Sequence, residues 1–274
     1  MEYRKFGSTN RLVSRLGLGG GFLSAMSVSE GVKIVEMAFR SGINYFDVAP
    51  SYEDGLNEKI IHEALGDRME EVLIATKVLS RSYDEAKEEI KGSIGRLGKV
   101  DLVQLHSIDT TEALELAFSD NGAIRAVEEL NNEGIIKYIG ITNHFDPKIL
   151  EASLGRYKFD VVMMPLGIIN AIKNSFEYII EKVNRDMAVV GILVFGGSSM
   201  GVVADKALRY SLSLPTSTLL VGPRTVAELE KDIDIASKFT PLSYQELEEL
   251  KVYTQSVIKN EIPWWFNGPV GIKK

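Results

Sequence analysis

Short apolar runs alternate with amphipathic stretches of about ten to fifteen residues along nearly the whole chain, and no other feature constrains the fold as much. The apolar runs predict strands at Arg15–Leu18, Tyr45–Val48, Val72–Lys77, Leu102–His106, Tyr138–Thr142, Val161–Met164, Val189–Phe195 and Thr218–Val221. They are rich in Val, Ile and Leu, as strands covered on both faces should be. The stretches between them predict helices at Ser29–Ser41, Asn57–Leu65, Tyr83–Leu97, Ala123–Glu133, Pro147–Leu154, Phe176–Arg185, Val202–Leu212 and Val226–Ser237. Local signals agree: Asp146-Pro147 reads as an N-cap followed by proline at the first helical position. Eight strands, each followed by a helix, is the count of an α/β (β/α)8 TIM barrel; a doubly wound parallel sheet satisfies the same alternation. Tyr3 to Ser14, around Gly7-Ser8-Thr9-Asn10, predicts an N-terminal β-hairpin, and Tyr244–Lys259 an extra C-terminal helix.

Composition bounds the chemistry. The chain has 274 residues, enough for one α/β barrel, and no linker interrupts it, so we expect a single domain over 1–274. With no cysteine and three histidines, thiol nucleophiles, disulfides and Cys-ligated metals are excluded, and no metal site is expected. A net charge of −7 argues against a general nucleic-acid surface. No apolar run approaches the ~20 residues of a membrane span, and Met1 to Phe6 lack the apolar core of a signal peptide. A soluble cytoplasmic protein is expected.

Barrels of this type build their active sites at the C-terminal ends of the strands. Asp47 ends the second predicted strand, Lys77 the third and His106 the fourth; Tyr52 follows Asp47 on the adjoining loop. Each has a plain structural alternative. A charged residue at a strand end can be the first solvated position, and a histidine after an apolar run can be a hydrogen-bonded wall residue. Convergence of all four on one quadrant of the barrel mouth favours chemistry. A buried Lys beside a carboxylate keeps its charge, and a Tyr hydroxyl beside an ammonium is a better acid than its free pKa of ~10 suggests. Such a Tyr can protonate a carbonyl oxygen as hydride arrives, and a neutral His can hydrogen-bond the developing alkoxide. A Schiff base on Lys77 is the rival chemistry, which the adjacent Asp47 disfavours.

These residues carry a resemblance. Phe46-Asp47-Val48-Ala49-Pro50-Ser51-Tyr52 is similar to the "fDTAxxYG" segment of the aldo-keto reductases. Ala75-Thr76-Lys77-Val78 resembles their lysine motif and Asp101 to His106 their histidine motif. The resemblance runs from Tyr3 to about Leu250. It implies a barrel whose members transfer hydride between a nicotinamide cofactor and an aldehyde, ketone or sugar carbonyl. Tyr52 would be the general acid/base, Lys77 and Asp47 would tune it, and His106 would orient the carbonyl. A cofactor-binding regulatory subunit is the other role that barrels of this family take.

The resemblance also implies cofactor positions. Thr142-Asn143 matches the pair that holds the nicotinamide carboxamide; without a ligand it reads as a polar turn. Phe195 falls where an aromatic stacks on the nicotinamide, though it could equally be core. Gly196, Gly197, Ser198 and Gly201 resemble the pyrophosphate-side loop, and Gly222 and Arg224 open the helix after the last strand, where anions are favoured. Met163 replaces the usual glutamine. Glu228 stands where a cation or amide commonly meets the adenosine 2′-phosphate, and Asp232 near the adenine-contacting asparagine. The family implies NADP(H); Glu228 opens NAD(H) or dual use. Phe22, Trp264 and Trp265 are expected to wall the substrate pocket, and His62 and His144 to lie at the surface or behind the site.

Overall fold

The computed structural model describes residues 1–183, 186–260, 264–266 and 268. An antiparallel pair, β1 (Tyr3–Lys5) and β2 (Leu12–Ser14), precedes eight parallel strands. These are β3 (Leu16–Gly19), β4 (Tyr45–Asp47), β5 (Leu73–Val78), β6 (Leu102–Leu105), β7 (Tyr138–Thr142), β8 (Val161–Pro165), β9 (Ala188–Ile192) and β10 (Thr218–Val221). They pair in chain order and close into a barrel through a seam in which Leu219 of β10 lies opposite Leu16 of β3. The predicted (β/α)8 barrel with its N-terminal hairpin is therefore the observed fold, and the doubly wound sheet is not.

Strand periodicity decides which side chains reach the inside. Successive residues point to opposite faces, so every second residue of a barrel strand faces the axis. Tyr45, Leu73, Ala75, Leu102, Val161, Met163, Ala188, Val190 and Leu220 form the interior cluster. Phe46, Ile74, Val103, Leu105, Val162 and Leu219 pack outward against the helices. By the same period Asp47, Lys77 and Gln104 continue the inward rows at the C-terminal ends of β4, β5 and β6.

The outer layer comprises α1 (Val28–Arg40), α2 (Leu56–Leu65), α3 (Tyr83–Leu97), α4 (Thr111–Ala117), α5 (Ala123–Asn132), α6 (Pro147–Leu154), α7 (Ile168–Lys173), α8 (Glu177–Lys182), α9 (Ala204–Leu212), α10 (Val226–Ser237) and α11 (Tyr244–Asn260). Helix α1 starts one residue before the predicted Ser29, because Ser27 and Glu30 form a reciprocal capping box. Asp146 caps α6 with Pro147 in its first turn, as expected.

The hairpin seals the barrel at the starts of the strands. Phe6 is fully buried there, its ring centroid 5.4 Å from that of Tyr45 and 6.3 Å from that of Tyr138. Gly7 makes this seat possible: its φ is +59°, and a Cβ would lie 2.5 Å from the Asp186 carbonyl oxygen. The open end is the other one.

Candidate active site

A cavity of about 1060 Å³ occupies the C-terminal mouth of the barrel, slightly above the usual pocket range of about 300–1,000 Å³. Asp47, Tyr52, Lys77 and His106 all line it. The period-2 geometry brings Lys77 beside Asp47, since β4 and β5 pair with Asp47 opposite Ala75. Lys77 is 1 % exposed. Its Nζ donates to Asp47 Oδ1 and, at 2.8 Å, to the Val48 carbonyl. The Tyr52 ring covers the same ammonium, with Nζ 4.9 Å from the ring centroid. Burial opposes the charge on Lys77, but the Asp47 carboxylate and the Tyr52 oxygen outweigh it and hold the ammonium above its ordinary pKa. A Schiff base needs the neutral amine, so this ion pair disfavours the rival chemistry.

Gln104 completes the arrangement. It stands opposite Lys77 in the β5–β6 register, and its Nε2 donates to Asp47 Oδ2 at 2.8 Å. Gly140 on the next strand makes the space, since a Cβ there would lie 2.9 Å from Gln104 Cγ. In the sequence Gln104 is hidden as one residue of an apolar run. Its inward register, two residues before His106, was the signal available.

His106 leaves the end of β6 and meets Tyr52 edge-on, with centroids 6.1 Å apart and planes at 82°. Burial, and then the Lys77 charge, hold its pKa well below the ordinary imidazole value, so the ring is neutral. Its buried Nδ1 has no hydrogen-bond partner among the described residues. A buried N–H without an acceptor is costly, so the ring's proton belongs on Nε2. Ser107, next along, adopts a left-handed φ of +51°, and Arg81 Nη2 clamps the His106 and Ser107 carbonyls at 2.6 and 3.0 Å. A strained residue held this firmly is common beside active sites.

The expectation for His144 is overturned. It is 8 % exposed, lines the cavity, and its ring centroid is 5.8 Å from that of His106. Burial, then Lys77, pushes its pKa down to about 3. The reason is its position: it follows Asn143, whose side chain folds the β7 loop inward by accepting from Phe145 N and Asp146 N, both at 3.1 Å. His62, by contrast, is at the surface as expected, with Nδ1 2.9 Å from the Leu97 carbonyl oxygen.

The other half of the cavity is apolar and glycine-rich. Gly19 to Phe22, Met163, Ile192 to Phe195, Gly197 and Gly222 line it. Leu193 adds a second left-handed residue, φ +57°, and Gly196 and Gly197 are left-handed as well. Phe22 bridges the loops after β3 and β10. Arg224 Cζ lies 5.1 Å from its ring centroid, and a Cβ on Gly222 would meet its Cδ2 at 2.9 Å. Glu228 lies at the start of α10, where its Oε2 accepts from Arg224 N at 2.7 Å and its own N–H donates to Thr225 Oγ1 at 3.1 Å. Burial, then Glu228, pushes the Asp232 pKa up to about 7.

Several expected site residues lie back from the cavity wall. Thr142 and Asn143 are fully buried and spend polar atoms on the protein, Thr142 Oγ1 accepting from Ser107 N and Asn143 Nδ2 donating to the Ile108 carbonyl. Trp265 is not a pocket wall; it is fully buried in an apolar cluster with Ile168, Ile169, Met200 and Leu250. A large flat apolar side chain gains more from that closed cluster than from a wet cavity rim. The side chains expected at Trp264 and Ser198 lie outside the described residues. Among the described residues no cluster of three or more potential metal ligands occurs, and no helix is long and apolar enough to cross a membrane.

Comparison with known proteins finds relatives in sequence and in fold. The chain is 27% identical over 261 residues to the uncharacterised oxidoreductase YqkF of Bacillus subtilis (strain 168), covering 87% of this chain and 81% of that protein. It is 28% identical over 315 residues to the L-galactose dehydrogenase of Arabidopsis thaliana, covering 94% and 95%. The fold superposes on the holo form of the aldo-keto reductase AKR11C1 from Bacillus halodurans with a TM-score of 0.76, at 24% identity over 98% of this chain and 100% of that one. The model of the aldo/keto reductase family matches residues 15–202. The chain belongs to the aldo/keto reductase family of NAD(P)-dependent oxidoreductases.

Proposed function

We propose that this cavity carries out reversible reduction of an aldehyde, ketone or sugar carbonyl, with Tyr52 as general acid in reduction and general base in oxidation. The observation that carries the reading is the buried Lys77 ammonium, paired with Asp47 and covered by the Tyr52 ring. A lysine is buried at this cost only where its charge is used or paired, and here it faces the Tyr52 phenol on the cavity wall. A bound nicotinamide supplies or accepts the hydride. Tyr52 passes its proton to the carbonyl oxygen, and Lys77 steadies the charge left on the phenol. His106 Nε2–H aims a hydrogen bond at the same oxygen as it becomes an alkoxide. Asp47, fixed by Gln104, keeps Lys77 in place.

The apolar and glycine-lined half fits a dinucleotide: Phe195 offers a ring face, and the left-handed Gly196 and Gly197, which carry no side chains, let a ligand approach the backbone closely. Thr142, Asn143 and Met163 are its supports toward the barrel axis. Arg224 is the cation available to a 2′-phosphate. The Glu228 carboxylate already lies on the first turn of α10, where it would repel that phosphate and accept from a ribose hydroxyl. NAD(H) therefore binds at least as well as NADP(H), despite the family's usual preference.

Two measurements test this reading. Tyr52→Phe lowers carbonyl reduction by about 10²–10⁴-fold while the dinucleotide titrates as in the unaltered protein; a retained rate removes Tyr52 from the mechanism. Fluorescence titration with NADH and NADPH separately shows equal or tighter binding of NADH; a clear NADPH preference overturns the role given to Glu228.

A further inference from the structure

The wall that carries His106 holds a second imidazole that the proposed reaction does not use. His144 is fixed along one edge only. Its backbone N–H donates to Asp109 Oδ1 at 2.7 Å, and its Nδ1 lies 3.1 Å from Ser107 Oγ and 4.0 Å from Asp109 Oδ2. Its Nε2 has no hydrogen-bond partner among the described residues, and the residue lines the cavity. A ring in the cavity wall with one nitrogen anchored and the other without a hydrogen-bond partner among the described residues is available to a ligand.

The tautomer follows from the anchor. A carboxylate near Nδ1 favours the proton on that nitrogen, which then donates to Ser107 Oγ. Nε2 keeps its lone pair, and the pKa of about 3 keeps the ring neutral throughout the working range. The two histidines thus offer different things. His106 Nε2–H is a donor suited to a carbonyl oxygen; His144 Nε2 is an acceptor suited to an O–H. The rings meet at 61° with centroids 5.8 Å apart, a span that suits oxygens on adjacent carbons.

Resting on the function proposed above, we propose that His144 is a specificity-determining residue that binds a hydroxyl on the carbon next to the reacting carbonyl, so that 2-hydroxy aldehydes and 2-hydroxy ketones are the preferred substrates and 1,2-diols the preferred products. The surroundings agree: Arg81, Ser107, Asp109, Thr110 and Glu112 line the cavity together with the apolar Ala113 and Leu116, so this side carries polar groups where the cofactor half is mainly apolar. A substrate with a methyl or an ether at this position leaves the Nε2 lone pair unpaired, and a site built to bond a hydroxyl discriminates against analogues that lack it.

The test compares hydroxyacetone with butanone, its near-isostere, and with methoxyacetone, which keeps the electron-withdrawing oxygen but cannot donate. The kcat/KM ratio of hydroxyacetone to each is measured for the unaltered enzyme, for His144→Phe and for His144→Gln. Hydroxyacetone is favoured over both. In His144→Phe each ratio falls about ten-fold, the effect of one lost hydrogen bond, and His144→Gln, which keeps an acceptor, recovers part of it. A merely structural role would slow all three ketones in proportion and leave the ratios unchanged. Unchanged ratios in His144→Phe, no preference in the unaltered enzyme, or turnover of none of the three overturns the proposal. Tyr52→Phe separates the two readings: if it keeps its rate on every ketone, the acid/base assignment falls while the ratios still report on His144. If it loses rate on every ketone and the ratios do not respond to His144, only the specificity proposal falls.

Discussion

Asp232 puts a carboxylate on the buried side of α10, 5 % exposed, with Glu228 one turn before it. Burial, then Glu228, raises its pKa to about 7, against the pull of Lys231. The folded state therefore holds this proton more tightly than the unfolded chain, whose value is 3.8. The associated stability is full below about pH 4 and is lost as pH rises through 7. Asp232→Asn removes the charge at nearly constant shape. The urea midpoint of that variant exceeds that of the unaltered protein at pH 8, by a free energy on the order of 4 kcal/mol, and the two converge near pH 4. An equal midpoint at pH 8 would show that the carboxylate is solvated. At this scale the sequence was legible where chemistry ends a strand: Asp47, Lys77 and His106 declare themselves by position. His144 was not, because its inward turn depends on Asn143 bonding Phe145 and Asp146, a loop geometry that hydrophobic period does not encode. The place of Trp265 is hidden for a related reason. An aromatic near a chain end fits a lid or a helix-packing core equally well until the partners Ile168 and Leu250 are known.

Among elements, α1 shows what local rules decide. Ser27 accepts from Glu30 N, and Glu30 returns the bond to Ser27 N, so two orphan donors of the first turn are satisfied. Ser27→Ala lowers stability by about 1 kcal/mol, read as a shift in urea midpoint, while dinucleotide titration is unaffected. The eight barrel strands were legible to within a few residues because buried parallel strands read as continuous apolar runs. The helices α4 and α7 were not. Both sit inside βα connections that already contain a second helix, so no apolar run separates them from α5 and α8. An alternation that counts one helix per strand passes over them. The apolar run of β9 continues to Phe195 in the sequence, whereas the strand ends at Ile192. Leu193 turns left-handed there, and apolarity alone carries no sign of a positive φ.

For the molecule as a whole, what matters is where the chain must meet itself. Leu219 is fully buried on β10 at the seam with Leu16 of β3, and every other barrel pairing joins neighbours in sequence. Contacts so distant along the chain form late, since their closure entropy is met only after local units are in place. Leu219→Ala then destabilises the protein by about 2–5 kcal/mol, and the loss appears as faster unfolding with a nearly unchanged refolding rate. A refolding rate that drops in step would place the seam in the folding nucleus. Before the seam closes, β3 and β10 are the two free edges of an open parallel sheet, with backbone donors and acceptors unpaired. An edge of one half-formed molecule can pair with the opposite edge of another. The closing bond of the barrel is thus also its guard against sticking to its own kind, and crowding during refolding is the condition under which that guard is absent.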